Sequence, residues 1–416
     1  MTQRQKHTTA GDELEVMLTT PEGIISNRAP ELLNAIRGTP MERWVVREAL
    51  DSQLEVITDP HPTITGLYND LAFKLQALEE LCAPYGIVPV PASEMGAGRG
   101  ILNKKLKRLE LYDRIIGIGE AKRLMKFSGT HTNHGWPTNK ELRPHFYNIQ
   151  QALDSTYGFT STSPISPEGL TGMNSWRVFT FRHGIQSQYG DDVLGNGLQE
   201  YVTSMEEIDQ RALAKWIQWR DIAKKQGRST LFGKLFKPEN TGYIPVRKKE
   251  AWNESRGNDA TTFPLAIAAT AYVKGVLDHA LREGLPITYA TEDNTWQFQP
   301  GKRIILPNYA TRVALDEQAM KYGMEKKGDP RLRDFHAEVL AFAQQGLKHE
   351  AHYLDPFQQI YNTGENPSTK LMKELRNETY INGSASHVDA ARANRCLRRD
   401  YLDSLPVQRE IQQCVA

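Results

Sequence analysis

With 416 residues, the chain has room for two to three domains of about 150 residues, or for one elaborate α+β domain. Its 39% hydrophobic and 24% charged residues match soluble globular chains and exclude intrinsic disorder or a coiled coil for the chain as a whole. Lysine and arginine number 51 against 50 acidic residues, so no global field draws the chain to nucleic acid or an anionic membrane, and any such contact needs a local patch.

The N-terminal third alternates strands and helices. Its strand patterns are half-exposed rather than continuously apolar, which predicts an antiparallel α+β arrangement. Leu14 to Thr19 reads as a strand, Pro21-Glu22-Gly23 as a turn and Ile24 to Ser26 as the returning partner. Pro30 to Ile36 opens a short helix, and Val45 to Thr58 is strand-like around its middle. Leu67, Leu71, Phe73, Leu75, Leu78 and Leu81 predict an amphipathic helix stopped by Pro84 and Gly86, followed by a strand over Ile87 to Val90. Arg123 to Thr132 reads as a strand ending in a polar cluster, Glu141 to Asp154 as a helix, and the alternation of Trp176 to Phe181 as a strand.

Residues 186–249 are polar and locally basic, with a helix over Met205 to Lys225, and read as an insertion or mobile lid. Thr262 to Leu281 is the most apolar helix, and residues 308–416 are largely helical. Without repeats or a linker, residues 1–416 read as one catalytic domain with a helical C-terminal region. The absence of a run of about 18 apolar residues, and of an apolar stretch in the first ten residues, predicts a cytoplasmic protein that makes no membrane contact. Cys82, Cys396 and Cys414 form no Cys-x-x-Cys pair and read as ordinary thiols, not disulfides or zinc ligands.

Glu13 and Glu15, two apart on the first strand, share a sheet face, and two like charges held together favour a cation. An isolated Glu-x-Glu is more often a solvated face. Here Glu48 and Glu55 occupy a second strand region, Glu254 precedes Arg256 by two residues, and His131 ends another strand within Gly129-Thr130-His131-Thr132-Asn133-His134-Gly135. A lone histidine there is more often packed or solvent-bound. Carboxylates with one imidazole and no thiolate suit Mg²⁺ or Mn²⁺. Arg177 and Arg256 are guanidinium groups able to hold a substrate acid or a transferred phosphate by paired hydrogen bonds, although either alone is more often a salt-bridge residue.

Gly96-Ala97-Gly98-Arg99-Gly100 has neither a Walker lysine nor dinucleotide-binding spacing and reads as a turn or site rim. Lys224, Lys225, Arg228, Lys234, Lys237, Arg247, Lys248 and Lys249 form a local basic region. It reads as a solvated surface, as closure over ATP phosphates, or as contact with a large anionic substrate.

Five motifs then occur in order: Glu13-Leu14-Glu15, Ser52-Gln53-Leu54-Glu55-Val56-Ile57-Thr58, Gly129-Thr130-His131, Ser163-Pro164 through Thr171-Gly172-Met173-Asn174-Ser175-Trp176-Arg177, and Glu254-Ser255-Arg256-Gly257-Asn258-Asp259. In this order the chain resembles a divergent carboxylate-amine ligase of the glutamate-cysteine ligase type 2 group, within the glutamine-synthetase-like superfamily. It departs from that pattern at Asn133, where many relatives carry a second histidine, and over residues 91–100, which lack the usual Gly-Thr-His-Pro. The resemblance implies a glutamine-synthetase-like α+β fold, with a curved antiparallel sheet forming a funnel flanked by helices and holding ATP with Mg²⁺ or Mn²⁺.

Carried over by position, Glu13, Glu15, Glu55, His131 and Glu254 match metal ligands, with Glu48 a looser match. Arg177 and Arg256 match catalytic and substrate- or phosphate-binding positions, beside Asn174 and Ser175. The implied activity is ATP-dependent amide formation through an acyl phosphate, giving ADP and phosphate. Glutamate is the first acid to try, the bond then being γ-glutamyl. The amine is open, a peptide or carrier protein is an alternative substrate, and a homo-oligomer is expected. Alternatives are a guanidino-type phosphotransferase, since such kinases share the catalytic fold, and a noncatalytic ATP- or metal-binding protein.

Overall fold

The computed structural model describes residues 7–92, 98–103, 107–117, 119–166, 169–185, 187, 189–190, 193–194, 197–284, 286–292, 295–376 and 387–406. Among these, seven strands form one sheet in which every pair is antiparallel. They are β1 (Ala10–Thr19), β2 (Val45–Arg47), β3 (Gln53–Ile57), β4 (Val88–Val90), β5 (Thr130–Gly135), β6 (Val246–Lys248) and β7 (Trp252–Ser255). The order is β2-β3-β1-β5-β7-β6, and β4 pairs with the end of β1.

The period-two pattern of β1 decides which face is which. Leu14, Val16 and Leu18 are fully buried in the main core, while Glu13 and Glu15 turn to the other face. Behind the apolar face lie the helices Ile64–Cys82 and Phe263–Glu283, the latter against Pro330–Leu347. In the first of these, Leu67, Leu71, Leu75 and Leu78 are buried, but Phe73 is 58% exposed because two residues past Leu71 is about 200° around a helix. Gly275 and Gly346 let the second and third helices touch backbone to backbone, and a methyl group on either would overlap its neighbour's chain.

His336, on Pro330–Leu347, is enclosed by Phe159 and Phe335, its ring nitrogens facing Ser155 Oγ at 3.3 Å and Tyr272 Oη at 2.9 Å. Burial pushes its pKa down from 6.5 to about 3. The unfolded chain therefore takes up the proton first, and this contribution to stability is lost as pH falls from about 6.5 toward 3. At about pH 5 the loss amounts to about 2 kcal/mol. Denaturant unfolding of His336→Gln between about pH 7 and pH 5 should show a slope smaller by that amount.

Three local expectations are corrected. Arg123 to Thr132 is not one strand: Glu120–Leu124 is helical, with Arg123 N–H donating to Gly119 O, and the strand begins only at Thr130. Trp176–His183 is a helix, not a strand, because Ser175 caps it through Oγ and its inward side chains, Arg177 over the half-buried Phe181 and Val178 with Arg182, recur every four residues. Ile24 to Ser26 forms no strand but only a single bridge, Thr19 with Ile25.

The polar 186–249 stretch, described in part, carries the predicted helix at Met205–Lys225. It also has an apolar cluster of its own. Trp219, Ile222, Phe232, Phe236 and Tyr243 pack with Leu111, Ile115 and Leu124 from the helices Lys107–Ile116 and Glu120–Leu124. Cys82 is buried and Cys396 half-buried, both free, and Cys414 lies outside the described residues, as do Gly96 and Ala97 of the glycine run. No described helix is long and apolar enough to cross a membrane.

Candidate active site

Strand register gathers the sequence-distant acids. Glu15 stands directly opposite Glu55, Glu13 opposite His131, and Glu254 between Asn133 and Arg247. Directly paired residues share a face, so the metal-matching set converges on the side of the sheet away from the main core. His131 is 3% exposed, with Nδ1 3.3 Å from Glu13, 3.6 Å from Glu254 and 3.9 Å from Glu55, and Nε2 3.7 Å from Glu15. Glu48, just past β2, lines the same cavity and accepts a hydrogen bond from Ala49 N–H at 3.0 Å.

The cavity holds about 360 Å³. One wall is the acidic sheet face. The rest of the lining includes Tyr112, Phe181, Phe236 and Tyr243, so the helices Lys107–Ile116 and Trp176–His183 and residues 236–243 face the carboxylates. A larger cavity of about 730 Å³ adjoins it across Tyr243, Arg247 and Lys249.

Electrostatically the site has two halves. In one, burial pushes Glu15 up to about 8, with the Glu48 charge adding to the effect, and burial likewise raises Glu48 and Glu55, the latter also against Glu48 and Glu13. In the other half burial acts the same way on Glu13 and Glu254 but is overcome, so both stay below the usual carboxylate range. For Glu13 the opposing interactions are with His131 and the Asn133 amide, which donates at 3.0 Å; for Glu254 they are the charges of Arg256, Arg247, His131 and Lys249. Arg256 contacts Glu254 directly, Lys249 approaches within 3.1 Å and Arg247 within 3.8 Å.

These residues fit a divalent cation. Glu13, His131 and Glu254 offer ligand atoms within 4.8 Å of one another, as do Glu15, Glu55 and His131. An ion with ligand bonds of about 2.1 Å spans ligand pairs about 4 Å apart or less, so small side-chain adjustments suffice. The buried His131 Nε2 has no hydrogen-bond partner among the described residues, a vacancy a metal bond would fill.

Arg256 reaches the cavity from the end of β7. Arg177 lines it too, but its guanidinium also donates to the Gly257 carbonyl at 3.1 Å and the Arg256 carbonyl at 3.0 Å, bracing the segment that carries Arg256. Gly129 makes room for this: a Cβ there would lie 2.5 Å from Arg177 Nη2, and its N–H donates to Glu15 at 2.6 Å. Asn174 and Ser175 do not line the cavity. Asn174 bonds Asn366 and Thr369, and Ser175 donates to Asp259, which also accepts from Ser163. Part of the motif pattern therefore holds the fold together and does not face the cavity.

Arg247 and Lys249 were legible only as members of a basic run. Placing a strand there separates them, because alternate residues project the same way: Arg247 and Lys249 turn to Glu254, and Lys248 turns outward to Asp209 at 2.6 Å. Arg108, Tyr112 and Tyr243, also at the cavity, had no sequence signal.

No protein-family model matches the chain. A protein of Ruegeria pomeroyi carrying the provisional name glutamate-cysteine ligase 2 is 27% identical over 179 residues, 42% of this chain. The alignment spans 46% of that protein, less than half its length. Among solved structures, a glutamate-cysteine ligase from Francisella tularensis in complex with AMP has a TM-score of 0.60 at 13% identity, covering 99% of this chain and 92% of the other. A bifunctional glutathione synthetase from Pasteurella multocida has a TM-score of 0.54 at 14% identity, covering 95% of this chain and 53% of that one. At such identities the superpositions show a common fold, an α+β architecture with an antiparallel sheet. The sequence match falls in the same ligase group that the motifs resemble.

Proposed function

We propose that the protein is an ATP-dependent carbon-nitrogen ligase that joins a carboxylic acid to an amine through an acyl phosphate. The observation that carries this reading is one cavity lined by Glu13, Glu15, Glu48, Glu55, Glu254 and His131 together with Arg108, Arg247, Lys249 and Arg256. Glu13, Glu15, Glu55, His131 and Glu254 would hold Mg²⁺ or Mn²⁺, which supplies charge neutralisation for phosphate oxygens. Glu48, with a raised pKa, extends that acidic rim.

Arg247 and Lys249 stand where the two cavities meet and, with Arg256 inside the smaller one, bind the phosphates of ATP, the larger cavity giving room for the nucleoside. A carboxylate oxygen of the acid attacks the γ-phosphorus and ADP leaves. The amine nitrogen then attacks the acyl carbon, the C–O bond to phosphate breaks, and the amine's proton passes to phosphate or to a cavity carboxylate. Phe181, Phe236 and Tyr243 exclude water that would otherwise hydrolyse the acyl phosphate. In this reading residues 186–249 are the covering wall through which substrates enter, and Arg177 positions Arg256.

Incubation with ATP, Mg²⁺ and pooled acids, amino acids and amines should release ADP and yield a condensation product by mass spectrometry, with glutamate the first acid to try. Arg247→Gln and Arg256→Gln should each lower turnover about 10²- to 10³-fold. AMP and pyrophosphate as products would rule out the acyl-phosphate route. A phosphorylated guanidino product formed without an amine would instead identify a phosphotransferase, and ATP binding without turnover a noncatalytic protein.

A further inference from the structure

The lobe that covers the site carries a charge asymmetry that the reaction above does not use. Between Asp221 and Glu239 there is no acidic residue, and Lys224, Lys225, Arg228, Lys234 and Lys237 fall in that stretch of a chain whose net charge is only +1. The four lysines are exposed and Arg228 half-buried. Gln226, Gly227, Arg228, Thr230, Leu231 and Lys234 line a depression of about 460 Å³.

The same face continues along the helix Met205–Lys225. Leu213 and Ile217, one turn apart, are 46% and 38% exposed, and Arg220 and Lys224 follow at helical spacing, Arg220 pairing with the exposed Asp221 at 3.2 Å. Two aliphatic side chains therefore lead past this ion pair into the run of cations that starts at Lys224.

This face adjoins the active-site opening. Phe236, between the exposed Lys234 and Lys237, has its side chain in the catalytic cavity, and Asn240 lines it three residues on from Lys237. Trp216 ties the helix to this rim by donating from Nε1 to the Phe236 carbonyl at 2.9 Å.

We propose that this basic face docks an acidic polypeptide segment, and that its partner presents a carboxylate to the cavity beside it. The last clause rests on the ligase reading; the docking itself does not. Clustered, fixed cations attract a flexible chain of carboxylates and raise its local concentration, and Leu213 and Ile217 supply apolar contact that a small substrate would not need. The chemistry favours polypeptide over nucleic acid. The lobe's aromatic rings are turned inward, Trp219 against Phe236 at 5.5 Å and Phe232 stacked on Phe236 at 5.1 Å, while Trp216 is half-buried beneath Arg220. They leave no exposed platform for stacking bases.

Fluorescence anisotropy of a labelled peptide rich in glutamate with interspersed leucine tests this against the intact protein. The peptide should bind, and binding should weaken at least about tenfold between about 50 and about 300 mM salt. Lys225→Gln/Lys234→Gln/Lys237→Gln should weaken it by a similar factor, and Leu213→Ser/Ile217→Ser should weaken it without changing the salt slope. Mg²⁺-dependent melting, read in the same samples, should be unchanged in both variants, showing that the site is intact.

Peptide binding that is absent at low salt, or equal in wild type and the lysine variant, overturns the proposal. So does preferential binding of labelled poly-uridylate, which would assign the face to nucleic acid. If the peptide binds as expected but neither it nor any small acid supports ADP release, the ligase reading fails while the docking surface stands.

Discussion

Mg²⁺ at a hundredfold excess over its dissociation constant should raise the melting temperature by about 3 °C, and Glu15→Gln or Glu55→Gln should erase that rise. A ligand at that excess adds about 2.7 kcal/mol of stability, and a chain of this length unfolds with an entropy of about 0.9 kcal/mol per kelvin. Both carboxyls are buried beside other carboxylates, and both have raised pKa values. Burial and the neighbouring carboxylates disfavour the charge on both, the charge that glutamine lacks. The two substitutions should therefore leave metal-free melting within about 1 °C of wild type while removing ligand oxygens that a cation needs. Thermal melting with and without Mg²⁺, and with EDTA as a control, reads the effect directly. Melting unmoved by Mg²⁺ in the wild type would refute the metal site.

Glu254→Gln should behave differently, melting about 4 °C lower than wild type even without metal. Glu254 is 1% exposed and is the shared partner of Arg256, Lys249 and Arg247. Neutralising this buried carboxylate leaves three half-buried cations facing one another, and breaking a buried ion pair from one side costs about 3–5 kcal/mol. Arg247 is already under strain of this kind: burial and the Arg256 charge push its pKa down to about 10. The double variant Glu254→Gln/Arg256→Gln should recover part of the loss, because it removes the nearest unpaired cation along with its partner. Denaturant unfolding of the two single variants and the double variant measures that coupling. A Glu254→Gln protein as stable as wild type would mean that the cations are neutralised elsewhere.

The contrast among Glu15, Glu55 and Glu254 separates ligation from scaffolding. All three face one cavity, yet the first two are crowded by other carboxylates while the third is surrounded by cations. A ligand that brings both phosphates and divalent ions suits such a divided site, since each half binds the opposite charge. The basic face outside, around Lys225 and Lys234, repeats that preference for anions at larger scale.

Period-two spacing in the sequence was enough to pair Glu13 with Glu15 on one side of β1 against Leu14 and Val16 on the other, and helical spacing was enough to find Ile64–Cys82 and Met205–Lys225. Local hydrogen bonding overrode the pattern at Trp176–His183, where a serine cap turned an apparent alternation into a helix that leaves Arg177 bracing the chain behind Arg256. Side-chain type and order along the chain therefore sufficed for the antiparallel α+β class and for singling out acids and an imidazole that the fold brings to one cavity, because strand alternation and ligand chemistry are local properties. The division of the site into a half whose carboxyl pKa values are raised and a half whose values are lowered, the turn of Arg247 and Lys249 but not Lys248 toward Glu254, and the hydrogen bonding of Asn174 and Ser175 away from the cavity appeared only in the folded chain. Each depends on contacts between separate segments and on how deeply a charge is withdrawn from water; His131, for example, meets Glu13 from a strand more than a hundred positions away.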